Sequence, residues 1–169
     1  MAESDGTFLY IGTYPNEADA RADYGVVKEL HKDGAVGTYD AAVVTKDDKG
    51  KVHVNKDEQA FRHGGWGGAV AGAVVGLLFP PAIIGTAIVG GAIGAVTGHL
   101  WRGVSRSDVK ELGEAIDSGE AALLVVGESK LEDAIAKAEL KAEKKVAKQL
   151  GVKKSDIDAA VKGAASELS

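Results

Sequence analysis

The sequence predicts an α+β protein: a ferredoxin-like head of order β-α-β-β-α-β, interrupted by an inserted glycine-zipper helical hairpin and followed by a charged helical tail. Three observations carry this. Short β-rich runs alternate with helical periodicity between Phe8 and Val126, a run free of Asp, Glu, Lys and Arg extends from His63 to Trp101, and Ala, Lys and Glu dominate after Ser129. The divisions that follow are residues 7–62 and 104–127 for the two parts of the head, 63–103 for the hairpin and 128–169 for the tail.

The first predicted element is a strand from Phe8 to Tyr14, where aromatic residues or glycine alternate with aliphatics up to Pro15. Asn16, with Asp19 three residues on, opens a helix in which Ala18, Ala22, Val26 and Leu30 recur at four-residue spacing until Gly34. Tyr39 to Thr45 and Val52 to Val54 flank the charged sequence Lys46-Asp47-Asp48-Lys49-Gly50, which predicts a β-hairpin. After the insertion, Ser105 to Ser107 cap a helix whose Val109, Leu112 and Ile116 share one side. Ala121 to Val126 is continuously apolar between Gly119 and Gly127, as expected of a strand buried on both faces. Ser129 to Leu150 then reads as one exposed amphipathic helix, with Leu131, Ile135, Ala138, Ala142 and Val146 on one stripe. Gly151 ends it, and Ser155-Asp156 opens a short final helix carrying Ile157.

Composition narrows the function classes. The formal net charge of -5 and pI near 5.4 oppose binding to nucleic acid by phosphate neutralisation. The absence of cysteine removes disulfides, thiolate nucleophiles and cysteine metal sites. The acidic start, Met1 to Gly6, lacks the basic and apolar regions of a signal peptide, so the expected location is cytoplasmic, peripheral or monotopic at the inner face of the cell membrane if the hairpin meets lipid.

The hairpin is the organising feature. Gly64, Gly68, Gly72 and Gly76 lie four apart in its first arm, and Gly90, Gly94 and Gly98 repeat that spacing in the second. Small residues at this interval line one side of a helix and let two backbones approach closely. Each mid-helix glycine costs about 0.5–1 kcal/mol relative to alanine, so the runs make sense only where close packing offsets them. Phe79, Pro80 and Pro81 mark the tip, because neither proline continues the first helix.

The two bases of the hairpin resemble each other: Arg62, His63 and Trp66 on one side, His99, Trp101 and Arg102 on the other. Indoles and cations at the ends of an apolar segment suit a membrane interface. The first arm, Gly67 to Phe79, spans roughly 20 Å, short of the ~30 Å hydrocarbon core, so a re-entrant hairpin fits better than two full spans. Lipid and a protein core both satisfy such a helix, and both predict self-association.

Candidate chemistry is sparse. His63 and His99 lack accompanying carboxylates in the insertion, while His31 and His53 read as structural. The glycine runs match neither phosphate-loop nor dinucleotide-binding spacing, and Asp40, Asp47, Asp48, Glu58, Glu111 and Glu114 are scattered over turns and polar helix faces. No catalytic, cofactor-binding or metal-ligating residue is assigned.

The stretches Phe8 to Tyr14, Gly64-Gly-Trp-Gly-Gly68, the broken apolar segment with Pro80-Pro81, and Gly119 to Val126 together resemble the bacterial domain-of-unknown-function 1269 family. That family is described as predicted membrane proteins with a glycine-rich hydrophobic hairpin before the last helix and strand. The resemblance covers about residues 7–127 and implies the layout of the head, but no activity. The expected function is a non-enzymatic, self-associating protein whose hairpin mediates membrane insertion or homo-oligomeric assembly, with itself and lipid as partners. The alternative is a sensing module that holds a lipid or small hydrophobe between subunits.

Overall fold

The computed structural model describes residues 6–47, 49–55, 74, 75, 78, 105–117 and 120–159. Its elements in chain order are β1 (Gly6–Tyr14), α1 (Glu17–Lys32), β2 (Tyr39–Lys46), β3 (Val52–Asn55), α2 (Arg106–Asp117), β4 (Ala121–Glu128), α3 (Lys130–Lys137) and β5 (Lys144–Lys153). A further helical stretch at 154–159 carries the fully buried Ile157. The strands form one five-stranded sheet in the order β3-β2-β4-β1-β5, and every neighbouring pair is antiparallel.

Antiparallel pairing throughout makes β1 parallel to β2 across the intervening β4, with α1 as the crossover. By the same logic β4 is parallel to β5 across β1, with α3 as the crossover. The two crossovers interlock, because each passes over a strand belonging to the other.

Register assigns the two faces. Phe8, Tyr10 and Tyr14 of β1 share a face with Leu123 and Val125 of β4 and with Tyr39, Ala41 and Val43 of β2. Ala20, Tyr24 and Val27 of α1 and Leu131, Ala134 and Ile135 of α3 close over this face to form the main core. The opposite face presents Leu9, Ile11, Leu124, Val126, Ala42 and Val44, all buried as well. α2 lies on this second face over β1 and β5, with Leu112 buried beneath it. β4 is thus buried on both sides, as its unbroken apolar run requires.

Local signals explain the early elements. The Asn16 side chain accepts the Asp19 backbone N–H at 2.8 Å, the expected cap of α1. In the β2–β3 turn, Asp47 Oδ1 accepts the backbone N–H groups of Lys49 and Lys51, each at 2.9 Å, and Gly50 takes the φ of 78° that a side chain would disfavour.

Two expectations are corrected. Ala18 and Ala22 face solvent and Val26 is 36% exposed; the buried stripe of α1 is Ala20, Asp23, Tyr24 and Val27. Tyr24 and Val27 offer more apolar area than the two alanines, which decides how the helix rolls on the sheet. The tail is not one helix over Ser129 to Leu150: α3 stops at Lys137, Ala138 is extended, and β5 adds a strand beside β1. Helix propensity in an Ala/Lys/Glu sequence is worth only tenths of a kcal/mol per residue, and pairing the otherwise open edge of a fully buried strand outweighs it. The alternation of half-buried Val146 and Lys148 and buried Leu150 with exposed Ala147 and Gln149 is a period of two that the helical reading passed over. The head therefore has a strand order with one more member than the β-α-β-β-α-β sequence expected.

Candidate functional site

The element predicted to act is the insertion between β3 and α2. Its zipper glycines (Gly64, Gly68, Gly72, Gly76, Gly90, Gly94 and Gly98), its tip (Phe79, Pro80 and Pro81) and its flanking Arg62, His63, Trp66, His99, Trp101 and Arg102 lie outside the described residues. Three residues of the first arm are described. Val74, Val75 and Leu78 are helical and buried, with relative exposures of 2%, 0% and 8%.

These three locate part of the arm. A side chain built at Gly113 of α2 would come within 3.7 Å of the Leu78 carbonyl oxygen, so this turn of the arm lies against α2. Leu78, expected on the outward face of the hairpin toward lipid or other hairpins, is instead buried within the chain. No helix among the described residues is long and apolar enough to cross a membrane.

α2 is tied to the edge of the sheet as well. Lys148 of β5 donates to Glu111 of α2 with Nζ 2.6 Å from Oε2, and both side chains keep partial contact with solvent. The turn at Leu78 and the strand β5 are thereby each in contact with α2.

The first face holds a buried polar network that sequence reasoning missed. Tyr10, Gly12 and Tyr14 alternate along one side of β1, and the bare Gly12 leaves room for both tyrosine hydroxyls, which stand 3.5 Å apart. A β-carbon at Gly12 would clash with the Tyr10 hydroxyl and come within 2.9 Å of the Tyr14 hydroxyl and of Ala142. The Tyr14 hydroxyl donates to Asp23 Oδ2 at 2.6 Å, and the Lys141 backbone N–H reaches both carboxylate oxygens, at 3.0 and 2.8 Å. Asp23 is only 1% exposed, and the buried carboxylate is supported by these donors.

The network is chemically quiet. Burial, reinforced by the Asp23 hydrogen bond, pushes the Tyr14 hydroxyl far above the ordinary phenol range. Burial raises Tyr10 too, partly opposed by its hydrogen bond with Tyr14. Neither tyrosine offers a proton near neutral pH, so the group fastens α1 and the segment before β5 to β1. The available signal was Asp23 itself, three and seven residues from Ala20 and Leu30 yet beside Tyr24 on the buried side of an amphipathic helix.

The remaining candidates have structural roles. His31 Nδ1 lies 3.0 Å from the Val36 carbonyl oxygen and 3.1 Å from that of Gly37, with its ring 4.9 Å from that of Tyr39. His53 Nε2 sits 2.9 Å from Asp47 Oδ2, and that hydrogen bond, helped by the backbone N–H groups of Lys51 and Lys49, lowers the Asp47 carboxyl to about 2. Among the described residues no group of three or more His, Asp or Glu side chains could hold a metal ion.

Fold and site together define a mixed α/β protein, a five-stranded antiparallel sheet carrying helices on both faces, with a long uncharged insertion between its third strand and second helix. The chain belongs to the DUF1269 family, described as protein of unknown function, whose family model matches residues 65–159. The match includes the tail as far as residue 159, whereas the resemblance read from the sequence covered about residues 7–127. Searches among curated proteins and among solved structures returned no match.

Proposed function

We propose that this is a non-enzymatic, self-associating protein whose glycine-zipper hairpin mediates membrane insertion or homo-oligomeric assembly, borne on a ferredoxin-like head. The observation that carries the reading is the run from His63 to Trp101: no charged residue, and small residues at every fourth position in two successive arms. Supporting it, β2 and β4 pair directly, so no strand of the chain between them lies between them in the sheet. A segment so long and so apolar asks for an environment other than water.

The ferredoxin-like description of the head is supported by the interlocked crossovers β1-α1-β2 and β4-α3-β5, whose four strands lie in the order β2-β4-β1-β5. On this reading β3 is an added edge strand, and the insertion with α2 lengthens the connection between the two halves. Val74, Val75 and Leu78 are buried and Leu78 lies against α2; the reading assigns the glycine spacing to packing against a second helix.

Size-exclusion chromatography with light scattering, together with membrane fractionation of the untagged chain, tests the proposal. An oligomer or a membrane-bound pool is expected, and a monodisperse monomer in the soluble fraction would overturn it. Gly72→Leu with Gly94→Leu should abolish assembly while the circular dichroism of the head persists; an unchanged oligomer would show that the zipper faces do not pack.

A further inference from the structure

We propose that the β5 edge is a docking surface for an anionic lipid bilayer. The proposal rests on the membrane arm of the function proposed above. Its starting point is a concentration of charge: between Lys141 and Lys154 there are six lysines and one acidic residue, Glu143, in a chain whose formal net charge is -5.

The fold turns this sequence cluster into a row. Among the described residues β5 is an edge strand paired with β1, and Lys144, Lys145 and Lys153 lie along it opposite Thr13, Gly12 and Gly6. These three side chains are exposed, as is Lys141 just before the strand. At about 3.3 Å per residue, Lys144 and Lys153 are separated by roughly 30 Å. A row of that length has the dimensions of a surface contact, and a single small anion could meet only one end of it.

Placement of α2 relates the row to the hairpin. Glu111, midway along α2, meets Lys148, midway along β5, with 2.6 Å between Oε2 and Nζ. The chain from Asp117 to Ala121 is short, and Ala121 lies beside Tyr14, one strand from Lys144. α2 must therefore run from the Lys153 end of β5 toward the Lys144 end. Its first residue, the exposed Arg106, belongs at the Lys153 end, where the uncharged segment re-enters the head.

Lys153 and Arg106 thus stand at the end where the chain enters α2, and Lys145 and Lys144 carry the positive charge on along β5. A cationic line of this kind fits anionic headgroups at a membrane surface. Lysines on an edge strand also guard against edge-to-edge aggregation. That role explains lysines on the edge, but it does not call for a cationic line that starts at Lys153, where α2 begins, and runs on to Lys145 and Lys144.

The test is co-sedimentation of the full chain with phosphatidylcholine vesicles, with and without one-quarter phosphatidylserine, at low and high salt. The chain is expected to bind the anionic vesicles more tightly, with the difference shrinking at high salt. Lys144→Glu with Lys145→Glu and Lys153→Glu should weaken that binding on the order of 100-fold, at roughly fivefold per lysine, with an unchanged circular dichroism spectrum. Equal binding to both vesicle types, unaffected by the triple variant, would overturn the β5 surface and leave the hairpin reading standing. Binding to neither type would overturn the surface and the membrane arm together, leaving assembly to the chromatography described above. A variant that aggregates while its vesicle binding is unchanged would make the lysines edge guards. Binding of duplex DNA or polyglutamate as tightly as anionic vesicles would make the row a general polyanion site. Either result overturns the proposal.

Discussion

The Tyr14 hydroxyl donates to Asp23 Oδ2 at 2.6 Å, joining the last residue of β1 to the buried side of α1. The same carboxylate accepts the Lys141 backbone N–H, so one side chain fixes a strand, a helix and the segment entering β5. Asp23→Ala would leave the Tyr14 hydroxyl and the Lys141 N–H without their acceptor. Burying those donors unpaired should cost about 2–4 kcal/mol, measured as a lower urea midpoint. Tyr14→Phe keeps the Lys141 contacts and should cost less, about 1–2 kcal/mol.

Gly12 is the position where a single methyl group should do the most damage for its size. Gly12→Ala puts a β-carbon against the two tyrosine hydroxyls and Ala142, and should destabilise by about 1–3 kcal/mol. Tyr10→Phe in the same chain removes the nearest oxygen. A double-mutant cycle by urea unfolding should give a coupling that recovers part of the loss.

Alkaline pH should weaken the fold through the same tyrosines. Their folded-state values are raised above the ordinary 10.0, so their contribution is complete below pH 10. As pH rises beyond that, the unfolded chain loses its phenolic protons while Tyr10, Tyr14 and Tyr39 retain theirs, and stability falls. Urea midpoints measured from pH 8 to pH 11 should decline above about pH 10, and the phenolate absorbance of Tyr10, Tyr14 and Tyr39 should rise only with unfolding.

The β2–β3 turn should respond at the acid end. Asp47 is held at about 2, below its usual 3.8, first by the His53 hydrogen bond and then by the Lys51 backbone N–H. Its contribution is present above the unfolded value and disappears as pH falls through about 2. Carboxyl chemical shifts followed by NMR should titrate near that value, and His53→Ala should move the midpoint upward.

Two adjacent valines distinguish the observed roll of α1 from the one its spacing suggested. Val27 is fully buried and Val26 is 36% exposed. Val27→Ala should cost about 2 kcal/mol in urea unfolding, whereas Val26→Ala should stay within about 0.5 kcal/mol.

Much of the head was legible because its signals are local. The Asn16 cap, the Asp47 turn, the alternating run of β1 and the β-rich run of β2 are each decided within a few residues, and each is found where the sequence placed it. The unbroken apolar run of β4 likewise required two covered faces. The glycine spacing of the insertion is also written in the sequence, and it is what the proposed function rests on.

Tertiary structure decided what depends on partners far along the chain. Val146 and Leu150 fit a helical stripe as well as an alternating strand, and only the open edge of β1 selected the strand. Asp23 looks like one more surface carboxylate until Tyr14 and Lys141, 9 and 118 residues away, supply its donors. The basic row on β5 arises in the same way, since lysines spread around a helix become a line along an edge only when that segment pairs with β1. The sequence by itself determined which segments are apolar, capped or turning, because those depend on each residue and its near neighbours. Which face of each segment is buried, and against what, was settled by the sheet order.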